Sequence, residues 1–542
     1  MKLPLTPVRC LLRAAQEYPA KIGIVDGDLR LSYAEVLERT QRLAAALNSL
    51  GVGPGDRVAS LSFNCHQLLE LYYGVPMARA ILLSLNVRLA PEEQAYILEH
   101  SGSKIVLFDP DFLELAEALR AKLPALRWIS LVDRPDLPSW VEGPSYPQLL
   151  AAAEPEETDF TAYDEDAIAE LFYTSGSTGR PKGVMLSHRT LYMHALSVIM
   201  GYLRLGGVGP SDRKVELHTI PLFHANGWGR AHTLTMLGGR HVMLKRFDPQ
   251  AVCELIERER VTSFSMVPTM ATSLIEFPKI RDYDLSSLED VMLGGAASAP
   301  ALIRALEAAL GCPAIAGYGL TESGPVSCIS HIKSTFGELD DAERTRRQAM
   351  TGFALPGTEV RVVDEKGVDV PRDLKTIGEV LIRSDAVMDG YWNEPEATVE
   401  AMEGTWLHTG DMAVWDSDRY VLIVDRKKDI IISGGENIST LEIERVLLEH
   451  PAVSECAVIG VPHERWGETP KAVVVLKAGQ QADEDQLRAH VRQHLAGFKV
   501  PSSVEIQQEL PKGATGKILK RKLREPYWEG LEKRVHGAGL QE

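Results

Sequence analysis

Three glycines, four aliphatic hydroxyls and one lysine fall within eleven residues at Tyr173-Thr174-Ser175-Gly176-Ser177-Thr178-Gly179-Arg180-Pro181-Lys182-Gly183. Such a segment suits phosphate. Glycines let the backbone approach a ligand closely, and successive N–H groups form an anion nest. Hydroxyls donate to phosphate oxygens, and Lys182 adds a mobile positive charge. The order differs from the Walker loop, where lysine follows glycine and precedes a hydroxyl, because here Lys182 precedes Gly183. The strand-like Ala169-Glu170-Leu171-Phe172 leads in and a Pro-Lys-Gly turn leads out, so the segment reads as a built loop rather than a Gly/Ser linker.

Other segments carry matching chemistry. Tyr318-Gly319-Leu320-Thr321-Glu322 offers a hydroxyl and a carboxylate, the oxygens a hard divalent cation takes. Gly294-Gly295-Ala296-Ala297-Ser298 follows a Val-Met-Leu run, and residues this small leave room for a flat ring beside the backbone. Asp411, in Trp406-Leu407-His408-Thr409-Gly410-Asp411, can accept two hydrogen bonds and so suits a diol. Asp425-Arg426-Lys427-Lys428-Asp429, taken alone, is a solvated charged turn.

Together these segments resemble, in order and over residues 20 to 525, the adenylate-forming superfamily of acyl-CoA synthetases, luciferases and peptide-synthetase adenylation domains. The resemblance implies an acid–thiol ligase that forms an acyl-adenylate with ATP and Mg²⁺ and passes the acyl group to coenzyme A. It implies a phosphate loop of Thr174, Ser175, Gly176, Ser177, Thr178, Gly179 and Lys182, and adenine beside Gly295, Ala296, Ala297, Tyr318 and Gly319. Thr321 is implied at the α-phosphate, and Thr174 and Glu322 at the metal. Asp411 is implied at the ribose, with Arg426 nearby. Lys428 matches the hinge about which a small domain turns, and Lys517, in Pro511-Lys512-Gly513-Ala514-Thr515-Gly516-Lys517, matches the adenylation lysine. The basic run Lys520-Arg521-Lys522 beyond it is expected to be solvated.

Within the superfamily, Pro221-Leu222-Phe223-His224-Ala225-Asn226-Gly227-Trp228 resembles the acid-facing segment of acyl-CoA synthetases. There His224 stands between acyl pocket and thiol tunnel, and Trp228 matches an acyl-channel gate. Ser433-Gly434-Gly435-Glu436-Asn437-Ile438 resembles the turn lining the pantetheine tunnel. The motifs are closest to medium- and long-chain fatty-acyl-CoA synthetases and methylthiopropionate-type ligases. The chain departs from one fatty-acyl branch at Ile432 and Asn437, where that branch has a basic residue and an aromatic. Because the chain ends soon after Lys517 with no carrier domain, an embedded peptide-synthetase module is not expected.

Elements must hold these loops in place. Ser32 and Glu35 form a capping box for a helix that Gly51 stops, and Arg57–Leu61 follows as a strand. Helices and strands alternate to about residue 320, an α/β pattern. Gly378–Ser384 and the 418–426 stretch read as strands of a β-rich subdomain. A compact α+β block follows, with a helix at 441–450, strands at 456–459 and 472–476, and a helix at 484–495. The expected division is an N-terminal ATP- and acid-binding domain at 1–427 and a mobile C-terminal domain at 428–542.

The 542 residues, 45% apolar and 25% charged, are ordinary globular composition for two to four domains. A net charge of −17 argues against nucleic acid, which needs a basic footprint. The six cysteines form no C-x-x-C pair, and no apolar stretch reaches membrane-span length. These features point to a cytoplasmic protein, with a homodimer a common outcome for soluble enzymes.

Overall fold

The computed structural model describes residues 3–141, 143–174, 180–202, 211–295, 298–433, 436–512 and 518–529. The chain divides into two compact units, one of Met1–Arg361 with Leu381–Thr409, the other of Val362–Val380 with Gly410–Glu542. The division runs through three strands, Thr358–Val363, Gly378–Ser384 and Trp406–Trp415.

Among the described residues, the first unit contains two large sheets. One has the strand order Gly390–Tyr391, Lys182–Ser187, Ile168–Thr174, Ile81–Ser84, Arg57–Leu61, Ser103–Phe108, Arg127–Ser130. Its last five strands run parallel and its first three antiparallel. Parallel strands covered on both faces read as continuous apolar runs. Ile81-Leu82-Leu83-Ser84 is such a run, buried at every position. The other sheet runs from Phe353–Ala354 through Cys328–Ile329, Ala314–Tyr318, Asp290–Leu293, Ser263–Met266, Val215–His218, Arg240–Met243 and Ile22–Asp26 to Leu29–Ser32. Its middle strands are parallel, each reached through a helix.

The expected capping box is present. The Ser32 side chain accepts from the Glu35 N–H, and the Glu35 carboxylate accepts from the Ser32 N–H, at the start of helix Tyr33–Ser49. Gly51 follows at φ +82°, a conformation that favours glycine. Val36, Leu43 and Leu47 share the buried face of this helix. Burying each such aliphatic side chain contributes roughly 1.5–3 kcal/mol.

The second unit is built on a long hairpin, Val453–His463 against Gly467–Leu476, onto which Ser503–Gln507 adds in parallel. Helices Thr440–Leu448 and Glu484–His494 pack Ile443, Leu447, Leu487 and Val491 onto Val458, Ala472 and Val474. Both strands exceed their expected lengths because pairing continues through Gly460 and Pro462, which end the apolar run in the sequence without breaking the ladder.

Candidate active site

Strands Ile168–Thr174 and Lys182–Ser187 form an antiparallel hairpin whose last registered pair is Thr174 with Lys182. The phosphate loop is therefore the connection of a hairpin, with both ends fixed by the ladder. Ser175, Gly176, Ser177, Thr178 and Gly179 lie outside the described residues. Gly183 is closely packed, since a Cβ there would stand 3.0 Å from the Tyr173 ring and 3.1 Å from Trp392 Cβ.

The edge strand Gly390–Tyr391 pairs with the other side of Lys182–Ser187, Tyr391 opposite Val184. This brings a residue that sequence reasoning missed into the site. The Tyr391 hydroxyl donates to Glu322 Oε1 at 3.2 Å, and Thr174 Oγ1 donates to the same oxygen at 3.3 Å. Lys182 Nζ stands 5.0 Å from the Tyr391 ring centroid, within cation–π range. Burial, and then the Glu322 charge, hold the Tyr391 phenol above its ordinary range, so it stays a donor. Glu322 sits in the 3-10 turn Thr321–Ser323, where its carbonyl accepts the Met388 N–H at 2.9 Å. Thr321 in the same turn is buried.

Helix Pro91–Ser101 holds the loop's flanks. His100 Nδ1 lies 2.8 Å from the Tyr173 hydroxyl. One turn earlier Tyr96 stacks on His100 with centroids 5.2 Å apart, and the Arg180 guanidinium lies 5.2 Å from the Tyr96 ring. Two residues spaced i, i+4 thus touch both sides of the loop.

Tyr318 closes strand Ala314–Tyr318, and Gly319 follows where a Cβ would stand 2.6 Å from the Pro325 carbonyl oxygen. Gly295 has φ +79° after strand Asp290–Leu293. The acid-facing segment is held by a buried amide. Asn64 Nδ2 donates to the His218 and Ile220 carbonyls at 2.8 and 3.1 Å, and Asn64 Oδ1 accepts from Leu222 N–H at 2.7 Å. The Tyr72 hydroxyl donates to the Leu222 carbonyl at 2.6 Å. His224 is the N-cap residue of helix Ala225–Leu237.

In the second unit, Asp411 and Arg426 are cross-strand partners, with Arg426 Nε 2.6 Å from Asp411 Oδ1. The Asp411 side chain is 4% exposed and the Arg426 side chain 43%. The Lys428 carbonyl accepts from Arg524 Nη1 at 3.1 Å, and Arg524 also pairs with Asp429 at 3.1 Å. Burial lowers the Lys428 ammonium below its usual range.

The family profile for the AMP-binding enzyme matches residues 11–392, and that for the AMP-binding enzyme C-terminal domain matches residues 442–517. The chain belongs to the AMP-binding enzymes. A long-chain-fatty-acid–CoA ligase of Thermus thermophilus is 38% identical over 501 residues, covering 92% of this chain and 90% of that protein. A feruloyl-CoA synthase of an Amycolatopsis species is 38% identical over 521 residues, covering 95% and 98%. The amide bond synthetase McbA from Marinactinospora thermotolerans has a similar structure, with TM-score 0.84 at 31% identity, over 96% of this chain and 99% of that one.

As an AMP-binding enzyme of this kind, the protein is an AMP-forming acid–thiol ligase that uses ATP and coenzyme A. Mg²⁺ is the usual partner of ATP in the family, and the residues present fit it. The Thr174 hydroxyl and the Glu322 carboxylate converge within 3.3 Å, both hard oxygen donors. Mg²⁺ keeps several waters and takes one or two protein oxygens beside phosphate.

Of the residues expected to act on ATP, the fold brings Thr174, Lys182 and Glu322 together in the first unit and Asp411 with Arg426 in the second. Ala296, Ala297, Gly434, Gly435 and Lys517 lie outside the described residues, as do the side chains of Trp228 and Glu436. Phe223 is 6% exposed and packs with Leu83 and Leu171 in the core of the first sheet. Lys520, expected to be solvated, is instead mostly covered, with its ammonium 2.8 Å from Glu444. Burial disfavours its charge, but Glu444, Asp425 and Asp429 outweigh that and hold the ammonium above its ordinary range. A basic run near a chain end gave no sign of this, because Glu444 is supplied from a helix far back in the sequence.

Proposed function

We propose that the acid is a fatty acid, activated by residues of the first unit and passed to coenzyme A with the help of the C-terminal segment. The observation that carries the choice of acid is an all-aliphatic cluster of Val198, Met292, Ile315, Ile329 and Leu355, with Val326 packed against it. Met292 lies on strand Asp290–Leu293, which ends two residues before Gly295, and Ile315 on strand Ala314–Tyr318. The likeness to the Thermus thermophilus long-chain ligase supports the same reading.

In the first half-reaction the carboxylate attacks the α-phosphorus of ATP and pyrophosphate leaves. Lys182, Thr321 and Lys517 stabilise the charge that develops, and preorganised donors of this kind supply most of the catalysis in such steps. Thr174 and Glu322 would hold Mg²⁺, which when bound would neutralise phosphate charge. Tyr318, Gly319, Gly295, Ala296 and Ala297 border the adenine, and Asp411 with Arg426 takes the ribose. In the second half-reaction the segment from 428 onward turns about Lys428 and withdraws Lys517. Gly434, Gly435 and Glu436 then line the path of the coenzyme A thiol, Trp228 gates the acyl channel, and His224 receives the thiol proton. Among the described residues no helix is long and apolar enough to cross a membrane. All six cysteines are free, which supports a cytoplasmic setting.

AMP release over acids of increasing chain length, set beside cinnamic and ferulic acids, tests the choice of acid. Each buried methylene contributes about 0.8 kcal/mol, so kcat/KM is expected to climb roughly fourfold per carbon until the pocket is full. A maximum on ferulic acid with no dependence on chain length would overturn it in favour of an aromatic acid.

A further inference from the structure

We propose that Tyr391 is a positioning residue for Mg·ATP: its hydroxyl orients the Glu322 carboxylate and its ring restrains Lys182. The inference rests on the reading of Thr174 and Glu322 as the magnesium site. Glu322 Oε1 receives two hydroxyl donors, Tyr391 at 3.2 Å and Thr174 at 3.3 Å. Two donors on one oxygen fix the rotation of the carboxylate, which leaves Oε2 as the oxygen offered to a cation. A carboxylate at the tip of three rotatable side-chain bonds would otherwise sample several orientations, each binding a cation less well. The Tyr391 ring meanwhile lies 5.0 Å from Lys182 Nζ, at the outgoing base of the phosphate loop.

The backbone holds Tyr391 firmly enough for this. Its strand is registered against Lys182–Ser187, the Tyr391 N–H donates to Thr398 Oγ1 at 2.8 Å, and the next residue's N–H donates to the Gly183 carbonyl at 2.7 Å. Tyr391 thus joins two groups that are far apart in the chain, the loop lysine and the metal carboxylate, and shares its acceptor oxygen with the loop threonine. The hydroxyl and the ring do separate jobs, so two substitutions separate them. Tyr391→Phe removes the donor and keeps the ring, whereas Tyr391→Leu removes both.

The measurement is ATP binding to the whole protein by calorimetry, without acid, over a series of MgCl₂ concentrations. Removal of one hydrogen bond to a charged group corresponds to about a tenfold change. Tyr391→Phe is therefore expected to raise the Mg²⁺ concentration needed for half-maximal ATP affinity by about tenfold, with affinity at saturating Mg²⁺ within about twofold of the parent. Tyr391→Leu is expected to lower affinity at saturating Mg²⁺ as well. In a Glu322→Gln background, Tyr391→Phe should add nothing to the Mg²⁺ dependence. Melting curves accompany each variant, and a merely structural tyrosine would lower the melting temperature while leaving the Mg²⁺ midpoint in place. An unchanged midpoint in natively melting Tyr391→Phe, or an equal shift in the Glu322→Gln background, overturns the proposal. A parent protein whose ATP binding ignores Mg²⁺ would instead overturn the reading of the site on which it rests.

Discussion

Asp411 pairs across two strands with Arg426 and is the residue proposed to take the ribose. It is nearly buried, its Oδ1 lies 2.6 Å from Arg426 Nε, and a carboxylate has several acceptor positions with which to meet a diol. Replacing it removes the ion pair with Arg426, but that guanidinium is 43% exposed and water can solvate it. Asp411→Ala is therefore expected to melt near the parent temperature, since the large penalty for breaking a pair belongs to charges left buried. Its ATP affinity should fall by about 10- to 150-fold, the loss of a charge-assisted hydrogen bond of about 1.5–3 kcal/mol. Calorimetric ATP affinity equal to the parent would show that Asp411 does not hold the ribose. Asp411 was legible because the residues around it form a recognisable local string. Tyr391 was not, because nothing within ten residues of it announces a nucleotide, and only the pairing of its strand with Lys182–Ser187 puts it beside Glu322.

Helix Pro91–Ser101 is the clearest case of an element with a task beyond packing. Its last two turns place Tyr96 and His100 against Arg180 and Tyr173, on either side of the phosphate loop. If the helix sets the spacing of the loop's ends, His100→Ala should raise KM for ATP by several-fold and leave KM for the acid unchanged. Tyr173→Phe should do the same, and the double variant should be no worse than either single one, because both remove the same contact. Additive losses, or equal changes in both KM values, would make the contact an ordinary packing feature. Element by element, the strands with strong local patterns were readable: Arg57–Leu61 and Gly378–Ser384 fall where their apolar residues and flanking turns put them, and the capping box of Ser32 and Glu35 starts its helix as expected. What the pattern could not supply was pairing. Which strand lies next to which depends on contacts between residues far apart in sequence, and those contacts bring Tyr391 to the phosphate loop and Glu444 to Lys520.

At the scale of the molecule, the groups expected to act on ATP are divided between two units. Thr174, Lys182 and Glu322 gather in the first, and Asp411, Arg426 and Lys428 belong to the second. Both sheets of the first unit contribute, since Thr174 and Lys182 end strands of one and Glu322 follows the last parallel strand of the other. The central claim is that the cluster at the base of the phosphate loop carries adenylate formation and takes no part in thioester formation. Glu322→Gln, which keeps the shape of the side chain and removes its charge, tests that claim most directly in two half-reactions measured on one preparation. Pyrophosphate release from ATP and acid should slow by about 10²-fold or more, the usual loss for one preorganised electrostatic group. Transfer to coenzyme A from synthetic acyl-adenylate should run near the parent rate. Parallel loss of both rates in a protein that melts normally, or an unchanged rate of pyrophosphate release, would contradict the account.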